Sequence, residues 1–191
     1  MSSDITPLRG VAAVLCGYAG MRIAGGLLRM DRSAHPFADV KRLAIVSADS
    51  RERGIGTMKI LAILGSPHEG NSLQVTRRIE EALAQYGDVE FRYIHLKDVD
   101  LQPCRGCFVC FMRGAERCPI EDDKDLIAAE LEDADGVIFV SPVYSMHVSY
   151  LFKQFVDRFA YVFHRPRYWG KYALTVAVAG SVGLRETSKY L

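Results

Sequence analysis

The sequence predicts a doubly wound α/β domain, a parallel sheet with helices on both faces, and three observations carry that prediction. Short, continuously apolar runs recur at residues 59–64, 136–140 and 172–179, as expected of central strands buried on both faces. Segments with apolar residues every three or four positions lie between them, and each run ends in turn-forming residues. Strands alternating with helices imply right-handed crossovers. In such sheets ligands bind outside the carboxyl ends of the strands.

The elements follow in order. Residues 1–57 are rich in Gly, Ala and Arg and weakly periodic, and within them only 42–48 (RLAIVSA) reads as a strand. They are taken as an N-terminal extension of unknown structure, with the patterned domain covering 58–191. The run KILAIL at 59–64 is the first strand of that domain, and it ends in GSPHEGNS. Residues 72–86 then carry Val75, Ile79, Leu83 and Tyr86 on one helical face, with Gly87 as the stop. Residues 89–96 (VEFRYIHL) alternate and read as a second strand. Asp122 or Asp123 caps a helix running to Asp133, and local capping suffices to explain that acidic pair. A third strand, GVIFV at 136–140, ends at Ser141-Pro142-Val143-Tyr144. A helix over 148–163 follows, with Leu151, Phe155, Phe159 and Val162 on one stripe. On that helix Asp157 and Arg158 read as a solvated pair. The fourth strand, 172–179, ends at Gly180-Ser181, and a further helix begins near Glu186.

Composition narrows the function. Lys plus Arg number 24 and Asp plus Glu 23 among 191 residues, so the basic footprint of a nucleic-acid binder is missing and no nucleic-acid partner is expected. Eighteen uninterrupted apolar residues never occur, so no membrane partner is expected either. Five cysteines, four of them clustered, suit a reducing cytoplasm better than a disulfide framework.

That cluster is the sharpest chemical signal. Cys104, Cys107, Cys110 and Cys118 are spaced C-x2-C-x2-C-x7-C and followed by a proline. Short x2 spacings with a distant fourth sulfur suit an iron–sulfur cluster. Four-thiolate zinc and metal-free or redox-active thiols compete with that reading. In GSPHEGNS the chain turns sharply from strand to helix, and the backbone N–H groups of a helix start attract an anion. Ser66, Asn71 and Ser72 add polar donors, and Gly70 allows close approach; helix capping by Asn71 and Ser72 is the plainer alternative. The Lys of a nucleotide-hydrolysing loop is missing. The run Ser141 to Met146 offers a rigid turn and an aromatic ring, a shelf for a flat heteroaromatic ligand, although Tyr144 taken alone also reads as a core residue.

Together, GSPxxxGNS, CxGCxxC ahead of an Asp-Asp pair, SPVY and LFKQFVDR resemble the flavodoxin-like, NAD(P)H-dependent FMN reductases, and within them the iron–sulfur flavoproteins. The resemblance covers residues 58–191. It implies a flavodoxin-like fold and FMN, with the phosphate on Ser66, Gly70, Asn71 and Ser72. His68 stands where the family usually carries a basic residue. The isoalloxazine would lie against Pro142, Val143, Tyr144 and Ser145, with Gly180 and Ser181 near its other edge. Cys104, Cys107, Cys110 and Cys118 would hold a four-iron four-sulfur cluster. The implied function is electron transfer from NAD(P)H through FMN, with or without the cluster, to a small-molecule or protein acceptor, in a cytoplasmic homo-oligomer. No acid–base catalytic residue is assigned. The family normally continues into a fifth strand and helix, so the domain is expected to be short at its C-terminus. A zinc-bound or metal-free binding module without redox chemistry is the reading from another class.

Overall fold

The computed structural model describes residues 56–191 and two short strands, β1 (Ala13–Leu15) and β2 (Gly26–Leu28), which pair antiparallel as a separate two-stranded sheet. The strand expected at 42–48, and Cys16, lie outside the described residues.

The main sheet contains β3 (Met58–Leu64), β4 (Val89–His95), β5 (Gly136–Tyr144) and β7 (Tyr172–Val178). They run parallel in the order β4-β3-β5-β7, and the two-residue β6 (His147–Val148) folds back antiparallel on the end of β5. The order departs from the sequence order at β3, which places a topological switch between β3 and β5. The fold is the expected flavodoxin-like α/β fold.

Alternation along β3 divides the core into two layers. Ile60, Ala62 and Leu64 pack under α1 (Asn71–Ala84) with its Leu73, Ile79 and Leu83. Leu61 and Ile63 face the other way, toward Ile127 and Leu131 of α3 (Lys124–Asp133) and Phe152 and Phe155 of α4 (Tyr150–Arg158). The amino ends of three strands are tied through Asp135. It donates its N–H to the Lys59 carbonyl, accepts the Lys59 N–H at its carboxylate, and accepts the Tyr172 N–H at its carbonyl.

Three elements differ from the sequence expectation. The third strand continues through SPVY, so Pro142 lies in the strand opposite Val178. A proline fits there because β5 is leaving the ladder to turn. The single helix expected over 148–163 is α4 followed by a 3₁₀ turn (Ala160–Phe163). The cysteine segment also holds a five-residue helix, α2 (Val109–Arg113), that its sequence does not announce. After β7 the chain ends in α5 (Leu184–Tyr190).

α4 begins at Ser149, whose hydroxyl accepts the Phe152 N–H at 3.2 Å and donates to the Gly65 carbonyl at 2.5 Å. Its own N–H donates to the Ser141 hydroxyl at 3.0 Å. The fit is close: a Cβ on Gly65 would stand 2.7 Å from the Phe152 Cβ. Ser149→Ala removes the cap and leaves a buried carbonyl unpaired, so the expected loss is about 1–3 kcal/mol. Urea denaturation should show a lower midpoint at an unchanged slope.

Two residues, Ser145 and Met146, connect β5 to β6 with φ of 49° and 69°. A two-residue hairpin turn needs positive φ at both positions, which normally selects Asn-Gly. Ser-Met carries this at about 1–2 kcal/mol per residue. The double variant S145N/M146G should therefore be more stable than the native chain, by about 1 kcal/mol or more, in the same urea measurement.

Candidate functional site

Because β3, β5 and β7 are parallel neighbours, the loops after them leave the sheet at one end. These are residues 65–70, 145–146 and 179–183. Within the first, Ser66 is buried and its hydroxyl donates to the His68 carbonyl at 2.7 Å. Its polar group shapes the turn, while His68 and Asn71 are exposed. α1 starts at Gly70 with no side-chain capping bond. Asn71 and Ser72 therefore do not cap it, and its first-turn N–H groups face the loop as donors for an anion.

On the shelf, Pro142 is buried and Val143 half-buried, whereas Tyr144, Ser145 and Met146 are exposed, as are Gly180 and Ser181. Gly183 locks the second and third loops together. It has φ +88°, and a Cβ there would meet Val143 Cγ1 at 2.6 Å and the Met146 Cα at 2.8 Å. Exposed apolar side chains on a turn held at positive φ are a pattern associated with ligand sites. The structure thus brings an uncapped helix start and the exposed residues Tyr144, Ser145 and Met146 to one end of the sheet, either side of the switch between β3 and β5.

The cysteine segment leaves the same end of the sheet after β4 and is laid along α4. Gln154 Nε2 donates to the Leu101 carbonyl. Arg165, beyond α4, donates to the carbonyls of Phe111 at 3.0 Å and Met112 at 3.3 Å, the open C-terminal end of α2. Between them Arg158 is buried, its side chain 2% exposed, and it grips a fully buried Asp122 carboxylate through Nε at 3.0 Å and a second guanidinium nitrogen at 2.7 Å. This overturns the solvated-pair reading of Asp157 and Arg158: Asp157 pairs with Lys153 one turn back, and Arg158 turns inward. Local capping does not account for the acidic pair either. Asp122 accepts the Lys124 N–H at 3.2 Å but also the Gln102 N–H at 2.9 Å, and Asp123 accepts the Asp100 N–H at 2.7 Å. The two carboxylates clamp both ends of the cysteine segment.

The four thiols are not equivalent. Cys104 and Cys107 are exposed, and Cys104 accepts the Gly106 N–H at 3.4 Å. Phe108, in the left-handed conformation at φ 59°, reverses the chain into α2 and carries Cys110 to half-burial. Cys104 and Cys110 share a cleft of about 330 Å³ with Phe108, Phe111, Tyr161 and His164. Cys118 Sγ accepts a hydrogen bond from Arg158 at 3.2 Å. Burial pushes the Cys118 thiol up, but the bonds from Arg158 and the Ile120 N–H, with the charges of Arg158 and Lys124, outweigh it and hold it below its ordinary value. Asp122 shows the same balance: burial raises it, and Arg158 with the Gln102 and Lys124 N–H groups brings it below the usual carboxylate range. Lys124 is itself buried and donates to the Ala115 carbonyl at 2.7 Å, holding the short turn before Cys118.

In its chemistry the donor set fits an iron–sulfur group: four thiols, two already carrying N–H donors of the kind that tune such centres. Among the described residues, however, no three His, Cys, Asp or Glu side chains stand together closely enough to hold a metal ion. The set is open. Nor, among those residues, is any helix long and apolar enough to cross a membrane.

Sequence reasoning missed Ser149, Gln154, Arg158 and Arg165. A serine directly before a helical pattern was a readable cap signal. The i, i+4 spacing of Gln154 and Arg158, flanking the Phe face, was a readable second face. Nothing local reveals that this face is covered.

The chain is similar to several known proteins. The chain is 43% identical over 102 residues to an iron–sulfur flavoprotein of Methanocaldococcus jannaschii, covering 53% of this chain and 51% of that one. It is 35% identical over 130 residues to an iron–sulfur flavoprotein of Archaeoglobus fulgidus, covering 68% of this chain and 58% of that protein. The chain thus spans little more than half the length of these relatives. A crystal structure of RosB with a bound intermediate, 8-demethyl-8-formylriboflavin-5′-phosphate, shares the fold, with a TM-score of 0.53 over 70% of this chain and 57% of RosB at 12% identity. The family model described as NADPH-dependent FMN reductase matches residues 58–191, the whole patterned region, and the chain belongs to that family.

Proposed function

We propose that the chain is an FMN-dependent oxidoreductase that takes electrons from NADH or NADPH and passes them to a small-molecule or protein acceptor in a reducing cytoplasm. The observation that carries this is the pairing, at one end of the sheet, of an uncapped 14-residue helix start with an exposed shelf on a turn of positive φ. FMN supplies the redox chemistry when bound, accepting a hydride and releasing electrons singly or in pairs.

The chain's own residues bind and orient. The first turn of α1, with Asn71 and His68, faces the phosphate; Ser66 fixes the loop that presents them. Tyr144, Ser145 and Met146 offer one side of the ring system its surface, and Gly180 and Ser181 flank it. Gly183 keeps the two edges in register. The finer reading is that Cys104, Cys107, Cys110 and Cys118 hold a four-iron four-sulfur cluster. Its support is the thiol spacing and the relatives' names, and no electron-transfer step is assigned to it. The open arrangement of the thiols favours a second reading, a flavin reductase whose cysteines carry no metal.

Protein purified without oxygen, followed by its visible spectrum and by FMN, iron and sulfide assays, tests both. FMN near one per chain is expected, and about four irons per chain would accompany it if the cluster is held. Flavin without iron leaves the simple reductase, and protein that fails to take up FMN sinks the proposal. A phosphate-reading loop also predicts that FMN binds at least about tenfold more tightly than riboflavin, since each hydrogen bond to a charged group contributes about 1.5–3 kcal/mol. His68→Arg should tighten FMN binding further, by roughly two- to tenfold at low salt, in a flavin fluorescence titration.

A further inference from the structure

We propose that Arg158 is the positioning residue of the cysteine segment, fixing Cys118 against α4 while Cys104 and Cys107 stay exposed and free to rearrange. One guanidinium nitrogen reaches the Cys118 sulfur at 3.2 Å while two others hold Asp122. Asp122 in turn receives the N–H groups of Gln102 and Lys124, residues on either side of the four cysteines. One buried side chain therefore secures both ends of the segment and its last sulfur. Of the other three thiols, Cys104 and Cys107 are exposed, and Cys110, on α2, is half-buried beside the cleft it shares with Cys104.

The cost of this arrangement argues that it has a purpose. A buried ion pair stabilises a fold weakly, since desolvation of both charges offsets their attraction, and an apolar pair of similar volume often serves as well. What the charged pair adds is direction. A planar fork sets two carboxylate oxygens and a sulfur in one plane, which a packed aliphatic side chain does not do. For an iron-binding segment, one preset sulfur next to a cationic donor gives the other three a fixed point around which to gather. Hydrogen bonds to ligand sulfur also raise the reduction potential of such a centre. Those last two consequences rest on the cluster reading of the proposed function; the positioning itself does not.

The test is native-state amide hydrogen exchange, read residue by residue by NMR, on full-length protein as purified and on Arg158→Lys and Arg158→Gln. Lysine keeps the charge without the fork, and glutamine keeps a donor without the charge. Exchange at the Gln102 and Lys124 amides is expected to accelerate about 10- to 100-fold in both variants, the loss of about one hydrogen bond to a charged group. Amides of β3 and β5 should change less than about twofold. Unchanged exchange at 102 and 124 overturns the proposal, and so does an equal rise in β3 and β5, which would make Arg158 a contributor to overall stability alone. Iron is measured on the same samples. Iron-free protein with the expected exchange pattern supports the positioning role while defeating the cluster. In iron-loaded protein, Arg158→Gln should also shift the reduction potential to more negative values, and an unmoved potential overturns the contact with Cys118.

Discussion

The arrangement of the site depends on one buried hydroxyl. Ser149 accepts from the first turn of α4, donates to the carbonyl at the end of β3, and through its N–H joins the Ser141 hydroxyl in β5. Those three bonds set the loop after β3, the end of β5 and the helix that carries the cysteine segment relative to one another. A serine suits the junction because it is small enough for the close approach of Gly65 to Phe152 and can donate and accept at once. No apolar residue of that size pairs both groups, and a buried unpaired carbonyl is costly.

From that junction α4 works on two faces. Phe152 and Phe155, continued by Phe159, pack together and against Phe139 of the sheet, with neighbouring ring centroids 4.8–6.1 Å apart. This apolar side anchors the helix to the core by area burial and ring packing. The flank beside it carries Gln154 and Arg158 and holds backbone and side-chain groups of the cysteine segment. The strong, non-directional force thus fixes the helix, and the weaker, directional one fixes what the helix presents. The same division recurs at the shelf, where Pro142 is buried and paired in the sheet while the next residues swing out to solvent.

The sequence made the sheet legible because a strand covered on both faces needs an apolar run, unbroken in Ile60–Leu64 and Val137–Val140 and interrupted in Leu174–Val178 by Thr175 alone. Alternation in β4 was legible for the same reason, its edge position leaving one side wetter. The loops after β3, β5 and β7 showed through because Gly70, Pro142 and Gly180 are poor strand formers. Arg158 was misread since a charged pair on a helix is ordinarily solvated; its burial depends on Asp122, 36 positions away. No local pattern encodes that distance. The length of β5 was misjudged because a proline normally ends a strand, whereas here it lies where the ladder is already giving way to a hairpin. Asp123 looked like a cap, and its carboxylate instead closes a loop across 23 positions to Asp100. Each of these misreadings involves a side chain whose partner is distant in sequence.

The nine residues of α4 have a consequence for how this protein can change over time. A helix advances about 100° per residue, so inserting or deleting one residue is a rotation rather than a shift. With Ser149 held at one end, such a change would swing Arg158 a quarter turn away from Asp122 and bring a phenylalanine or a solvent-facing residue to the cysteines. Substitutions along α4 can be absorbed one at a time; a change of its length cannot.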